Sequence, residues 1–428
     1  MSDHSKALVP LESWCYNSPE ISYRGGVLDF GLLAEALIYY DQVLINVLNQ
    51  PQFAEFLRWF INRGKYSDLL ALFNDKTIQV YDYAFISTAV EFDGTYNVLN
   101  IQDPIQEKPN TFEQRFLYHE SVQNCFKHAR DRIKLYKVLR NKVTEAKASE
   151  FGNTIENARK DYLEPQRSSL LIQSFIDEIY PLLNWGNPPE VIAKIEPLDE
   201  AKSKHRITWN IDIKKISEAL GGNLPLHIGT PLTAAVHCNR FLWSAANLNC
   251  DLYLGRPMST LVGDKLYESG YRIIKSRDII DQLIVEVEFP DIRTLVNTGK
   301  INLDDILSFR KKAVKFRRWL QEERTHDRNA IIAYHNELAK ETGWTKVGRK
   351  TLRLFGFLGA VGGPFTGGLL GGNIAGIPGP VLGSIGGKGV EYLLDLASKL
   401  NANWRPVIFG NWIRDRIEKT LERTDYIK

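Results

Sequence analysis

The sequence predicts an α+β protein: a mostly helical soluble body carrying a C-terminal glycine-zipper helical hairpin. Three observations carry this. Short β-branched or alternating runs lie among longer stretches with helical apolar spacing. Hydrophobic residues make up 44% of the 428, enough for a sizeable core in two or three domains. Residues 354–387, LFGFLGAVGGPFTGGLLGGNIAGIPGPVLGSIGG, run for 34 positions without a charged side chain, and 13 of them are glycine.

Residues 1–110 read as an α/β region. Residues 28–40 have helical apolar spacing, and Val43, Leu44 and Ile45 form a short buried strand. An amphipathic helix follows over 52–62, with Phe53, Phe56, Leu57 and Phe60 on one side. A helix over 66–73, an alternating strand over 77–86 and a polar, proline-containing loop over 100–110 complete it.

Residues 111–345 read as mainly helical with a few strands. Residues 111–159 form a long charged helical stretch centred on HARDRIKLYKVLRNKV, and Pro165 punctuates before a helix over 168–180. Pro188, Pro189 and Pro197 predict a linker or surface loop over 184–199. Strands are expected over 205–213 and 281–289 (DQLIVEVEF), with a buried apolar helix over 233–249. Asn302, Leu303, Asp304 and Asp305 cap a long helix in which Ile306, Phe309, Ala313, Phe316 and Leu320 follow 3-4-3-4 spacing. Residues 346–400 hold the glycine-rich hairpin and a helix over 390–400, and 401–428 form a charged tail.

Bulk chemistry narrows the function classes. A net charge of +3 is too small to argue for nucleic acid on its own. MSDHSKALVP has no apolar run after its charges, which predicts no secretory signal. Cys15, Cys125, Cys238 and Cys250 show no C-x-x-C spacing and are expected as reduced thiols in a cytosol. Catalytic motifs are weak, and no cofactor or metal site is expected. His119-Glu120 lacks the second histidine of a zinc helix. Gly387-Lys388 fails as a P-loop, because Leu382 stands where the first glycine belongs and Gly389 where Ser or Thr belongs. One enzymatic alternative stays open. Asp29, Glu35, Asp41 and Asp82 flank the N-terminal strands, where a Mg²⁺-dependent nuclease would place its carboxylates, centred on Asp29, Asp41 and Asp82.

The glycine segment says most about function. Gly359, Gly363, Gly367 and Gly371 recur every four residues, Ala375 continues the row, and Gly379, Gly383 and Gly387 complete it. On a helix this row forms one groove without side chains, the geometry by which helix backbones approach closely in lipid. Thirteen Leu, Ile, Val and Phe residues, Phe355 among them, favour insertion by roughly −4 to −8 kcal/mol in total. Thirteen flexible glycines and Pro364, Pro378 and Pro380 oppose it. The balance is near zero, so the segment is poised between water and bilayer. Ile377-Pro378-Gly379-Pro380 is a turn that divides it into a hairpin. Arg349, Lys350 and Arg353 before it and Lys388 after it suit two ends on the same cytoplasmic face. A packed soluble hairpin and a linker are the other readings.

Upstream, Lys311, Lys315 and Arg318 form an i, i+4, i+7 stripe opposite the apolar seam. Such a face suits anionic lipid headgroups at about 1 kcal/mol per basic residue. A nucleic-acid backbone or plain solvent would suit it too.

With residues 346–389 as the carrier, the chain resembles the membrane-acting effectors of prokaryotic anti-phage defence. The two-helix membrane effectors associated with short prokaryotic Argonautes are among them. The resemblance implies a pore-forming or depolarising effector of an immune or toxin system. Such a protein is cytoplasmic and only conditionally associated with the inner membrane. It self-associates there on anionic lipid after activation by a protein sensor, such as one of Argonaute type, and meets nucleic acid only indirectly.

Overall fold

The computed structural model describes residues 5–13, 27–46, 50–82, 86–92, 97–104, 112–140, 142–145, 154–199, 204–219, 230–255, 258–268, 290–323, 412–413 and 416–417. Among the described residues the chain is mixed helix and strand, with helix the larger part. It divides into two compact units, residues 1–273 with 293–303, and residues 274–292 with 304–428.

The first unit is built on a parallel sheet of β1 (Lys6–Pro10), β4 (Gln42–Asn46), β5 (Ile78–Asp82), β8 (Val143–Glu145) and β11 (Asp251–Leu252). Their spatial order is β11-β1-β4-β5-β8. Register is set residue against residue: Leu8 faces Leu44, Ile45 faces Val80, and Ala7 faces Asp251 on the other side. Val43, Leu44 and Ile45 are fully buried, as are Ala7, Leu8 and Val9. Consecutive burial, without alternation, is what a parallel sheet covered on both faces requires.

Helices supply that cover. Asp29 caps α1 (Phe30–Tyr39), which crosses from β1 to β4, and α2 (Gln50–Ile61) and α3 (Tyr66–Asn74) cross from β4 to β5. Phe53, Phe56 and Phe60 of α2 are all buried; the Phe53 ring meets Phe112 and Phe116 edge-on, and Phe56 meets Phe73. From Leu8, Leu44 and Tyr81 a second apolar cluster runs to Cys238, Phe241 and Ala245 of α9 (Thr230–Leu248) and to Leu261 of α10 (Met258–Glu268). The Tyr81 hydroxyl donates to Ser244 Oγ at 2.8 Å, pinning α9 to the sheet.

A four-stranded antiparallel sheet accompanies it: β6 (Ile86–Phe92), β7 (Asn97–Pro104), β9 (Ala193–Asp199) and β10 (Lys204–Trp209), in the order β6-β7-β10-β9. Its core joins Ala193 and Ile207 to Phe175 and Ile179 of α7 (Pro165–Leu183) and Tyr162 of α6 (Thr154–Leu163). A two-stranded ribbon of β2 (Glu12–Ser13) and β3 (Val27–Leu28) leads into α1, and α8 (Ile213–Ala219) follows β10.

Three expectations are corrected here. Residues 193–199 are a strand, not a loop, because Pro197 falls beside the register shift between Lys204 and His205, where the ladder tolerates a missing donor. The 111–159 stretch is not one helix. It breaks into a π-turn (Glu113–Leu117), α4 (Glu120–Gln123), α5 (Ala129–Leu139) and β8 before α6. The 100–110 loop begins later than expected, since β7 runs to Pro104. The expected strand over 281–289 lies outside the described residues.

On α9, burial pushes the His237 imidazole down to about 3, and the charge of Arg240 pushes the same way. An unfolded histidine titrates near 6.5. Between those values the unfolded chain binds a proton that the folded one refuses. The stabilisation is therefore complete above about pH 6.5 and declines toward pH 3, at up to about 1.4 kcal/mol per pH unit. Urea midpoints for the parent and His237→Gln, compared at pH 7.5 and 5.5, are expected to show a smaller acid loss in the variant. Equal losses would remove His237 from the account.

Candidate functional site

In the second unit, α12 (Leu303–Lys312) and α13 (Val314–Glu323) carry the predicted basic stripe. Asp304 and Asp305 occupy the first turn, where the helix dipole favours acids, and Arg310, Lys311 and Lys312 the last, where it favours cations. The Ala313 amide donates to Phe309 O at 2.9 Å and the Arg317 amide to Ala313 O at 2.8 Å, so the backbone turns on through the junction. Ile306, Phe309, Ala313 and Phe316 are fully buried, as the 3-4-3-4 spacing predicts. Trp412 meets Phe309 edge-on at 5.6 Å, and Arg416 Nε donates to Asp305 Oδ1 at 3.4 Å. Part of the C-terminal tail is thus packing material rather than a free charged end, with Ile413 and Ile417 buried.

Opposite that seam, Lys311, Lys312 and Arg318 are exposed and Lys315 is half-buried. Arg317, next to Arg318 in sequence, is not on this face: it is buried, and its Nη1 donates to Arg310 O at 3.1 Å. The stripe of Lys311, Lys315 and Arg318 therefore presents its charges on one outer face. Phe355, Gly359, Gly363, Gly367, Gly371, Gly379, Gly383 and Gly387 lie outside the described residues, as do Arg349, Lys350 and Arg353.

The acidic candidates of the first unit separate. Asp29 sits at the carboxyl edge of the parallel sheet, its amide bonded to Leu11 O just beyond β1, and Asp82 ends β5 at the same edge. Asp41 precedes β4 at the opposite edge, about 15 Å away by strand length, where its carboxylate accepts from Ser5 N and Oγ at 3.2 Å. A nuclease centre on Asp29, Asp41 and Asp82 is not assembled by this sheet.

Asp29 and Glu35 are instead built into a buried cluster. Arg293 of α11 (Ile292–Asn297) places Nε and Nη2 each 2.7 Å from Asp29 Oδ2. Asn297 Nδ2 and Leu32 N donate to Asp29 Oδ1, both at 2.8 Å, and Gly31 N donates to Asn297 Oδ1 at 2.8 Å. Glu35 accepts from the Tyr253 hydroxyl at 3.0 Å and from Arg293 N at 3.2 Å. Spacing could not have announced this cluster: Arg293 and Asn297 lie more than 260 positions from Asp29, in a plain helical segment.

The cluster marks a reversal in strand order. The chain lays β1, β4, β5 and β8 in one direction, then places β11 on the far side of β1. In open α/β sheets ligands bind outside the carboxyl ends at such a switch. Here that position is occupied by protein groups. Beside it, at the carboxyl end of β4, neither Asn46 Nδ2 nor Oδ1 has a hydrogen-bond partner among the described residues, although the residue is only 2% exposed. Such an amide costs about 1–3 kcal/mol to leave unmet.

No family model, no curated protein and no solved structure matches this chain. Among the described residues no helix is long and apolar enough to cross a membrane. Nor, among them, is any group of three or more His, Cys, Asp or Glu placed to hold a metal ion.

Proposed function

We propose that this chain is a membrane-perturbing effector, pore-forming or depolarising, of a prokaryotic immune or toxin system, activated through a sensor partner. The observation that carries the reading is one helix with two faces. The α12–α13 pair buries Ile306, Phe309, Ala313 and Phe316 and turns Lys311, Lys315 and Arg318 outward, some forty residues ahead of the uncharged glycine row in the sequence. The basic face attracts anionic lipid at about 1 kcal/mol per residue. The segment 346–389, folded as a hairpin, then enters the bilayer, with Phe355 and its aliphatic neighbours supplying the gain. Helices associate through Gly359, Gly363, Gly367 and Gly371, continued by Gly379, Gly383 and Gly387, while Arg349, Lys350 and Arg353 stay at the headgroups. The protein is cytoplasmic until triggered and self-associates at the inner membrane. No cofactor enters the mechanism.

Flotation with vesicles containing anionic lipid tests this. The full chain is expected to float, and a chain lacking residues 346–389 to stay at the bottom. Reversing Lys311, Lys315 and Arg318 to Glu should weaken binding and flatten its salt dependence. Gly367→Ile keeps insertion favourable but fills the groove, so it should float and fail to depolarise cells, while Phe365→Ile, off the row, should be tolerated. Equal flotation with and without 346–389 would refute the proposal.

A further inference from the structure

The first unit carries a basic surface that the membrane reading does not use. Residues 127–142, KHARDRIKLYKVLRNK, hold seven lysines and arginines against one aspartate, a local charge of +6 in a chain whose total is +3. Helix α5 sorts these charges. Leu135 and Leu139 are buried against the body, and Tyr66 fastens the N-terminal turn by donating its hydroxyl to Asp131 O. The outward face, centred opposite that seam, reads Arg130, Ile133, Lys134, Lys137 and Arg140, all exposed.

The face is costly to keep. Like charges at i, i+4 and i+7 repel, and Arg130 stands in the first turn, where the helix dipole disfavours a cation. Among the described residues Asp131 answers, 3.3 Å from Lys134 Nζ and 4.0 Å from Arg130 Nε. Lys142 is not part of the face, since its Nζ is spent on Phe73 O, Asn74 O and Asn74 Oδ1.

Two aromatic rings flank the cations. Tyr118 is 56% exposed, and its ring lies 6.3 Å from that of Tyr136, tilted by 48°. Tyr118 is exposed and Tyr136 half-buried, and aromatic rings beside a line of cations are the two components that hold single-stranded nucleic acid: phosphates on the cations, bases stacked on the rings. A bilayer fits less well, because Ile133 is the one aliphatic side chain on the outward face and interfacial binding needs a broad apolar one.

We propose that the outward face of α5, with Tyr118 and Tyr136, is a binding surface for single-stranded nucleic acid. The unit that holds it contacts the strand directly, through its phosphodiester backbone and without base-edge readout. Four cations, Arg130, Lys134, Lys137 and Arg140, span about 15 Å of helix.

Fluorescence anisotropy of the full chain with labelled oligouridylate and oligothymidylate decides it. Neutralising four phosphates of a single strand predicts a slope of log K against log salt of about −2.8. Lys134→Glu with Lys137→Glu should abolish binding at physiological salt, and Lys137→Ala should reduce the slope by about 0.7. Tyr118→Ala should weaken binding about tenfold with the slope unchanged. These positions are exposed, so unaltered circular dichroism and urea midpoints are expected to accompany the loss. Reversing Lys311, Lys315 and Arg318 should leave oligonucleotide binding intact, which separates this surface from the lipid-facing one. Binding that survives Lys134→Glu with Lys137→Glu would overturn the proposal. So would binding lost with the Lys311, Lys315 and Arg318 reversal instead, or anionic vesicles captured by α5 while oligonucleotides are ignored.

Discussion

Asp29→Ala is expected to destabilise the first unit by roughly 3–5 kcal/mol, the cost of stranding one partner of a buried ion pair. The substitution removes Asp29 Oδ2, which accepts from both Nε and Nη2 of Arg293, whose side chain is 8% exposed, together with the cap on Leu32 N and the acceptor for Asn297. The guanidinium then sits in a low-dielectric surrounding without its counter-charge. Urea unfolding followed by circular dichroism gives the magnitude. Asp29→Asn keeps an oxygen for Leu32 N and Asn297 Nδ2 but puts an amide donor where Arg293 needs an acceptor, so it recovers only the cap-side part of the loss and should fall between parent and alanine. Asp41→Ala, which loses an acceptor for Ser5 at a partly exposed edge, is expected to cost about 1 kcal/mol. If Asp29→Ala and Asp41→Ala cost the same, the cluster does not hold the unit together.

Gly31→Ala is expected to cost about 3 kcal/mol or more, in a helix where alanine is otherwise the better residue. A Cβ at Gly31 would stand 2.2 Å from Arg293 O and 2.7 Å from Arg293 C and Cα. All three are backbone atoms, so no rotamer change relieves the clash. Helix α11 would have to lift off α1, and Gly31 N would lose Asn297 Oδ1 while Glu35 would lose Arg293 N. Gly64→Ala is the contrast. Its backbone angle of φ +68° strains any side chain, but nothing lies within 4 Å, so only about 1–2 kcal/mol is expected. A Gly31→Ala midpoint at or above the parent value would mean that α11 does not pack there.

What was legible in the sequence followed from local periodicity. Ile306, Phe309, Ala313 and Phe316 were readable as one seam because a helix repeats its own face, and all four are buried. Val43, Leu44 and Ile45 were readable as a strand because three β-branched or aliphatic residues between polar ones have few other homes. The interior strand Lys6–Pro10 was missed: four consecutive buried residues after a half-buried Lys6 lack the alternation that marks a strand exposed on one side. The two-residue Asp251–Leu252 strand is shorter than any periodicity can register. The Asp29 and Glu35 carboxylates were noticed for the wrong chemistry. Residue type alone does not separate an acid that awaits a metal from one that meets an arginine in a distant helix. That choice is made by tertiary contact.

The tie between Asp29 and Arg293 also has a clock attached. The two residues are separated by 264 positions, so a ribosome adding about 5–20 residues per second makes Arg293 roughly 13–50 s after Asp29. Throughout that interval Asp29 and Glu35 are carboxylates destined for burial, and for most of it β1 lacks its β11 neighbour. Helices and the β4–β5 ladder can form while the chain lengthens, but the sheet stays open along β1 until residue 252 emerges. A nascent chain of this protein is therefore a long-lived half-sheet with a bare edge, the kind of surface that chaperones exist to shield. Closure arrives late and from the far end, when a single arginine brings in charge, hydrogen bonds and a covering helix in one step.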